Sequence, residues 1–456
     1  LRNKENVGRP LLSSPKGGAV LFPLLAALLS ACAGPSEHLV KRVDEAVARR
    51  DYSDAENLIS GAKDSSYGKK NAVLYYLDIG AVQLDGGRYK DSVASLSNAE
   101  QRMDDLFTKS IHKEAGTYLL NDNTTDYAGE RFERALVNVD LALGYLLSGD
   151  RDGAMVEIRK LSRLLQEYAD VYGAQKTAYK DDAFGEYLSG LLYADADQPD
   201  DARISFQKAG ALYHRASQVD GEDEEVADLD APRLGPNDGE LVFIHANGTA
   251  PRKESRTFQV AWGQGVAAIS ATRDDEAQAG QAQNAIRAGF IGNAITIAYP
   301  KYVQGHYRVV RSEVELDDGR RARTHLIENV SAIAMRDLDE RQALIRTRAI
   351  ARATIKYILA HTVSNAVARK YGQNSPVALL TNFTANAVAA GTEVADTRAW
   401  TTLPSQYRIA RVSLPAGDHV IHAVYRDAYG SEVDRRDFHV TVRRGARTYL
   451  YDRTAQ

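Results

Sequence analysis

The sequence predicts an α+β protein: N-terminal α-helical hairpin repeats, then a strand-rich domain with an inserted long helix and a C-terminal antiparallel β-sheet or sandwich. Three observations predict it. Up to residue 219, apolar and small residues recur at helical spacing between Gly- and Pro-containing turns. After Glu240 the apolar period falls to two. A stretch within 336–391 then returns to helical spacing before strand patterns resume. The chain has 456 residues, 44% hydrophobic and 26% charged, so it is long enough for two or three domains and has a globular balance.

The first segment reads as an address. Arg2, Lys4, Arg9 and Lys16 lead into an apolar run over 19–29, which is shorter than the roughly 20 residues that span a bilayer. Leu29-Ser30-Ala31-Cys32 follows. These four residues resemble the lipobox of bacterial lipoproteins. The resemblance implies that Cys32 receives a diacylglyceryl group and that cleavage precedes it. Residues 1–32 are then the signal peptide and lipobox, and the mature chain begins at Cys32. The resemblance also implies the outer membrane, with the protein facing the periplasm, because Ala33 stands where Asp marks inner-membrane retention in enterobacterial lipoproteins. Cys32 is the only cysteine, which excludes an intramolecular disulfide and a Cys-based zinc site.

Residues 33–219 read as stacked helical hairpins. Ser36, after Pro35, is a candidate N-cap. The clearest unit places Tyr193, Ala202, Phe206 and Ala209 at fixed offsets after Gly190, with Pro199 in the turn. That spacing resembles the tetratricopeptide (TPR) pattern, in which small residues let paired helices approach and aromatics fill between pairs. A second unit runs through Tyr76, Gly80, the Gly86-Gly87 turn, Tyr89, Ala94, Leu96 and Ala99. A third contains Leu143, Gly144, the Gly149-Asp150 turn, Ala154, Ile158 and Leu161, and a degenerate start shows at Tyr52, Ala55 and Ile59. Such repeats stack and leave a concave surface, which is expected to hold a protein partner.

Residues 220–240, with Asp220-Gly-Glu-Asp-Glu-Glu225, read as a solvated acidic linker and lack the ligand spacing of a calcium loop. The β-rich region is 241–335. Its strands are expected at Leu241 to His245, Thr257 to Trp262, Ala294 to Tyr299 and Ser312 to Leu316. The Asp317-Asp318-Gly319 turn and Arg323 to Glu328 complete a hairpin. The helical segment is 336–391. In it Arg341, Arg348, Arg352 and Lys356 share one face, a candidate docking face toward anionic lipid or the acidic hairpins. Residues 392–456 read as antiparallel strands with turns at Pro415 to Asp418 and Tyr429-Gly430. The net charge of −4 hides a contrast: residues 33–240 hold 24 Lys and Arg against 40 Asp and Glu, and residues 241–456 hold 29 against 20. The two halves are therefore set to attract each other or different partners.

Several segments together resemble an uncharacterised family of Gram-negative TPR-like outer-membrane lipoproteins. They are the Cys32 lipobox, Asp182 to Tyr193, Gly248-Thr-Ala-Pro-Arg-Lys253, Ile297-Ala-Tyr-Pro-Lys-Tyr302, the Arg-rich helix, and Asp396-Thr-Arg-Ala-Trp400. The resemblance implies an envelope lipoprotein and no particular activity. The sequence contains no phosphate-binding Gly-Lys-Ser/Thr loop, nucleophile elbow or His-Glu-x-x-His. His419 and His422 fall on opposite faces of a strand, so no metal is expected there. The expectation is a non-enzymatic protein–protein interaction scaffold in envelope assembly or transport. It needs no cofactor and binds no nucleic acid; its partners are the membrane, through acylated Cys32, and an envelope protein, through the repeats. The alternatives are an activator of a peptidoglycan synthase and a cell-wall enzyme whose site carries no recognised motif.

Overall fold

Ser36 opens the first helix: its Oγ accepts a hydrogen bond from Leu39 N at 3.2 Å, at the start of α1 (Glu37–Ala48). The computed structural model describes residues 34–111, 125–172, 181–220, 234–261, 294–373, 375 and 395–456. Four helical hairpins follow one another among these residues. They are α1 with α2 (Tyr52–Gly61), α3 (Ala72–Asp85) with α4 (Tyr89–Ile111), α5 (Arg131–Leu147) with α6 (Arg151–Tyr172), and α7 (Ala183–Asp195) with α8 (Pro199–Asp220). All four repeat units predicted from spacing are present.

The reason lies in the small residues. A Cβ on Gly190 would stand 2.6 Å from the Phe206 ring, and one on Gly80 would stand 2.7 Å from Leu96. Both distances are far inside van der Waals contact, so only glycine lets each inner helix lie against its outer partner. The first members of the later pairs, α3, α5 and α7, are buried on most sides, whereas α4, α6 and α8 keep one exposed face.

The strands are β1 (Asp238–Asn247), β2 (Arg252–Ala261), β3 (Ala294–Val303), β4 (Arg311–Leu316), β5 (Arg321–Arg323), β6 (His325–Glu328), β7 (Gln406–Pro415), β8 (Gly417–Arg426), β9 (Glu432–Val442) and β10 (Arg447–Thr454). The long helix α9 (Val330–Tyr371) lies between β6 and β7. One sheet has the order β10-β1-β7-β6, a second has β5-β4-β8-β9, and β2 and β3 form a separate ribbon. The fold is α+β, with N-terminal helical repeats and C-terminal antiparallel sheets.

The first sheet is the middle layer. Leu241 and Phe243 of β1 and Ala410, Val412 and Leu414 of β7 pack on Val314, Ile421, Ala423 and Tyr425 of the second sheet. Val242, Ile244, Ala246, Tyr407 and Ile409 point the other way, into the core shared with the helices. A strand covered on both faces has no polar side, which explains the unbroken apolar run after Glu240.

Three details differ from expectation. The strand expected over Arg323 to Glu328 divides: β5 stays with β4, and β6 crosses to pair with β7. Thr324 is the crossing point, its N–H and Oγ1 both donating to Ser312 O, at 3.0 Å each. β10 pairs parallel with β1 and so lies outside the antiparallel set. The long helix starts at Val330, because Asn329 caps it by accepting from Ala332 N at 3.0 Å.

Arg50 adopts a left-handed backbone (φ 57°) in the α1–α2 turn. Its guanidinium pairs with Asp434 and, at 3.0 Å, with Asp452, tying the first hairpin to β9 and β10.

The helix-pair geometry generates one prediction. Gly190→Val should lower unfolding stability by about 1–3 kcal/mol through overpacking against Phe206. Gly190→Val with Phe206→Ala should recover part of that loss in denaturant titrations. A Gly190→Val protein as stable as the parent would show that the close approach is dispensable.

Candidate functional site

The inner face of the repeats carries polar side chains at seven-residue intervals. They are Asn71 at the N-cap of α3, Asp78 and Asp85 along that helix, and Glu133 and Asp140 along α5. A seven-residue step keeps them on one helix face, and that face meets the chain's own C-terminal half. Arg398 Nη1 donates to Asn71 Oδ1 at 3.2 Å. Asp78 Oδ1 accepts from Thr401 N at 3.2 Å and from Thr402 Oγ1 at 3.1 Å. Tyr451 OH and Arg453 Nε donate to Asp85 at 2.7 and 3.2 Å. Trp400 N donates to Glu133 Oε1 at 2.8 Å, and Tyr407 OH donates to Asp140 Oδ1 at 2.6 Å. On α7, Asp195 takes Arg447 at 2.7 Å and the Tyr449 hydroxyl at 2.9 Å. The concave surface expected to hold a partner is thus covered by the chain's own sheet and by the segment leading into β7.

At one end of this contact lies a cleft of about 310 Å³. Its walls come from the loop before α5, the β2–β3 ribbon, α9 and the segment after residue 394. Five cationic side chains line it, Lys253, Arg341, Arg348, Arg352 and Arg398, against three acidic ones, Asp126, Glu130 and Asp396. Glu130 is its electrostatic centre. One carboxylate oxygen pairs with Lys253 Nζ and the other with Arg341 Nη2 at 2.5 Å. Burial would raise this carboxyl's pKa, but the charges of Lys253 and Arg341 outweigh it and hold the group well below the ordinary carboxylate range. Arg341 also reaches Asp337 Oδ2 at 2.5 Å, and Lys253 donates to Arg398 O at 2.9 Å. Arg398 forks onto Asp396 with Nε at 2.9 Å and Nη2 at 2.7 Å, and donates to Thr125 O at 2.9 Å.

Of the predicted site residues, Arg341, Arg348 and Arg352 all line this cleft. Arg341 meets Glu130 at the start of α5, so it engages the acidic hairpins within the molecule. Lys356 lies in α9, and its side chain falls outside the described residues. Leu29, Ser30, Ala31 and Cys32 also lie outside the described residues. Sequence reasoning gave no role to Glu130, although Glu130 and Glu133 bracket a helix start as in a capping box: Glu130 N donates to Glu133 Oε2 at 2.9 Å. Lys253, Pro300 and Arg398 belong to three segments singled out for resemblance alone, and the fold brings them to the same cleft.

The chemistry available to these groups is binding and pairing. Glu130, held ionised between two cations, is a poor proton acceptor. A serine–histidine pair that sequence reasoning missed joins His245 Nδ1 to Ser312 Oγ at 2.8 Å, with Thr454 Oγ1 on Nε2 at 2.7 Å. Burial, and then the charges of Arg408, Arg453 and Arg50, push the imidazole's pKa well below its ordinary value. His245 is 0% exposed and Ser312 3%, so the pair is sealed inside the sandwich, away from any substrate. Among the described residues no group of three or more His, Cys, Asp or Glu is placed to hold a metal ion. No protein-family model matches the chain, and no curated protein matches it.

The interlayer carboxylates titrate in an accessible range. Burial raises Asp78 to about 6 against hydrogen bonds from Tyr67, Thr402 and Thr401, and raises Asp85 to about 6 against Arg453 and Tyr451. Asp140 is raised by burial to about 7, opposed by the Tyr407 hydroxyl. In the unfolded chain an Asp titrates near 3.9 (roughly). The folded state therefore holds extra protons between those values. The stability they contribute is complete below the unfolded pKa and is lost as pH rises through about 6 to 7. Asp140→Asn removes one such group. Relative to the parent, its stability should improve by on the order of 3 kcal/mol between about pH 5 and about pH 8. Denaturant midpoints at the two pH values check this, and an offset that does not change with pH would refute the assignment.

Proposed function

We propose that the protein is a non-enzymatic, lipid-anchored scaffold of the bacterial cell envelope, held at the outer membrane through Cys32 and facing the periplasm. The Leu29-Ser30-Ala31-Cys32 motif supports the anchoring, and the covering of the repeats' inner face by the chain's own sheet supports a scaffold that binds through its outer surface. Hairpins and sheets form one compact unit, so the outer helices offer binding surface without any rearrangement of the body. A groove of about 520 Å³ opens there between α6, α7 and α8. Leu165, Ala169, Ala211 and Leu212 supply its apolar lining, with Asp181, Asp182 and Glu186 as its acids and Lys208 at 3.8 Å from Glu186. A partner segment with an apolar face and flanking basic residues is the complement of that lining.

Photo-crosslinking residues placed at Gln166 and Lys208 in intact cells test this. A single dominant partner should be captured at both positions, and it should disappear when Cys32→Ala releases the protein from the membrane. A penicillin-binding protein in that band would make the scaffold an activator of peptidoglycan synthesis. Absence of any specific crosslink at either position, with the protein folded and membrane-bound, would overturn the scaffold reading.

A further inference from the structure

The chain enters its described body at a cationic end. A Cβ on Gly34 would stand 3.0 Å from Arg398 Cγ, so the backbone at Gly34 rests on the arginine that helps to line the basic cleft. Arg398 in turn contacts Asn71 and Thr125, and Tyr127 N donates to Lys70 O at 2.8 Å. Gly34, Arg398, Lys70 and the segment from Thr125 to Tyr127 therefore make one continuous patch.

Tyr127 separates two openings in that patch. One is the basic cleft. The other, about 130 Å³, is lined by Lys69, Lys70 and Arg102 with Asp105 and Asp126. The two together carry eight cationic side chains against four acidic ones, and of the eight, Lys253, Arg341 and Arg398 are paired internally with Glu130, Asp337 and Asp396. The helical repeats around them lean the other way, with 23 Lys and Arg against 31 Asp and Glu over residues 33–219. Lys69, Lys70 and Arg102 are exposed. Of the nearby acids on α1, Asp44 is paired with Arg252, whereas Glu37 lies exposed at the helix start. Cys32 stands two residues before Gly34, a reach of at most about 7 Å of extended chain.

We propose that this end is a membrane-seating surface, which takes the phosphate headgroups of an anionic bilayer around the anchor. The inference rests on the anchoring at Cys32 proposed above. A lipid attached at Cys32 brings the bilayer to the edge of the cationic patch, within the roughly 8–10 Å over which headgroup charge acts. The anchor fixes the position, and the cations fix the orientation.

Amine labelling of the full chain, purified from bacterial membranes and placed in vesicles, tests this by mass spectrometry. Labelling at Lys69 and Lys70 should fall about fivefold on phosphatidylcholine vesicles containing phosphatidylglycerol, compared with phosphatidylcholine alone. It should recover in high salt, with Lys208 unchanged throughout. Inorganic phosphate without vesicles should give no protection. Equal labelling on both vesicle types, or equal protection by inorganic phosphate, would overturn the proposal. The mass of the N-terminal peptide reports acylation separately. If Cys32 carries no lipid the anchoring reading fails, while Lys69 and Lys70, labelled beside free phosphatidylglycerol vesicles, still report on the surface.

Discussion

The rest of the structure depends on the burial of β1 on both faces. A single strand contributes Leu241 and Phe243 to the sandwich and Val242, Ile244 and Ala246 to the helical core. Neither core closes without it: the second sheet needs a lid for its inner face, and the inner helices need cover for theirs. Each fully buried aliphatic or aromatic side chain contributes about 1.5–3 kcal/mol. β1 places such side chains on alternate faces, so the two cores are coupled through one backbone. The neighbours of β1 come from the end of the chain, β7 antiparallel and β10 parallel. The middle layer is complete only when the C-terminal residues have docked.

Burying the first sheet against helices that carry Asp78, Asp85, Asp140 and Asp195 raises a second constraint. A buried carboxylate without a partner is costly, so each must meet a donor. The sheet and the segment leading into it supply the donors as hydroxyls (Thr401, Thr402, Tyr407, Tyr449, Tyr451) and guanidinium groups (Arg447, Arg453). These contacts are directional. An apolar interface would tolerate sliding, whereas a row of acids at seven-residue steps accepts the sheet in one register. Part of the charge contrast between the two halves of the sequence is used in this way, at Asp85 with Arg453, Asp195 with Arg447 and Glu130 with Lys253.

Local chemistry was readable from the sequence, and long-range chemistry was not. Gly190 with Phe206 and Gly80 with Leu96 are each sixteen residues apart, and that fixed offset exposes both hairpins to a spacing argument. The helix N-cap at Ser36 and the turn at Gly319 are equally local. The division of the predicted strand at Thr324 depends on Ser312, and the parallel seat of β10 depends on β1, more than two hundred residues away. The cleft is the extreme case. Arg341, Arg348 and Arg352 were visible as one helix face, because seven- and four-residue steps align them. The groups that share the cleft with them, Glu130, Lys253 and Arg398, come from three distant segments that spacing alone could not join.

The covered inner face also changes what the repeats are for. In an open helical array, inner-face residues are held for a ligand and their packing energy is realised on binding. In this chain the same residues are satisfied intramolecularly, and Tyr407, Tyr451 and Trp400 occupy the place a ligand would take. A competing peptide would have to displace two tyrosine–carboxylate hydrogen bonds and the Thr401–Thr402 contacts with Asp78, and leave those acids in an apolar layer while it docked. The cost of exposing such groups unpaired is about 1–3 kcal/mol each, and a short peptide does not recover it. In the function proposed above, recognition therefore falls to the outer helices and the exposed lysines of the cationic end, and the inner face holds those two surfaces in a fixed relation to one another.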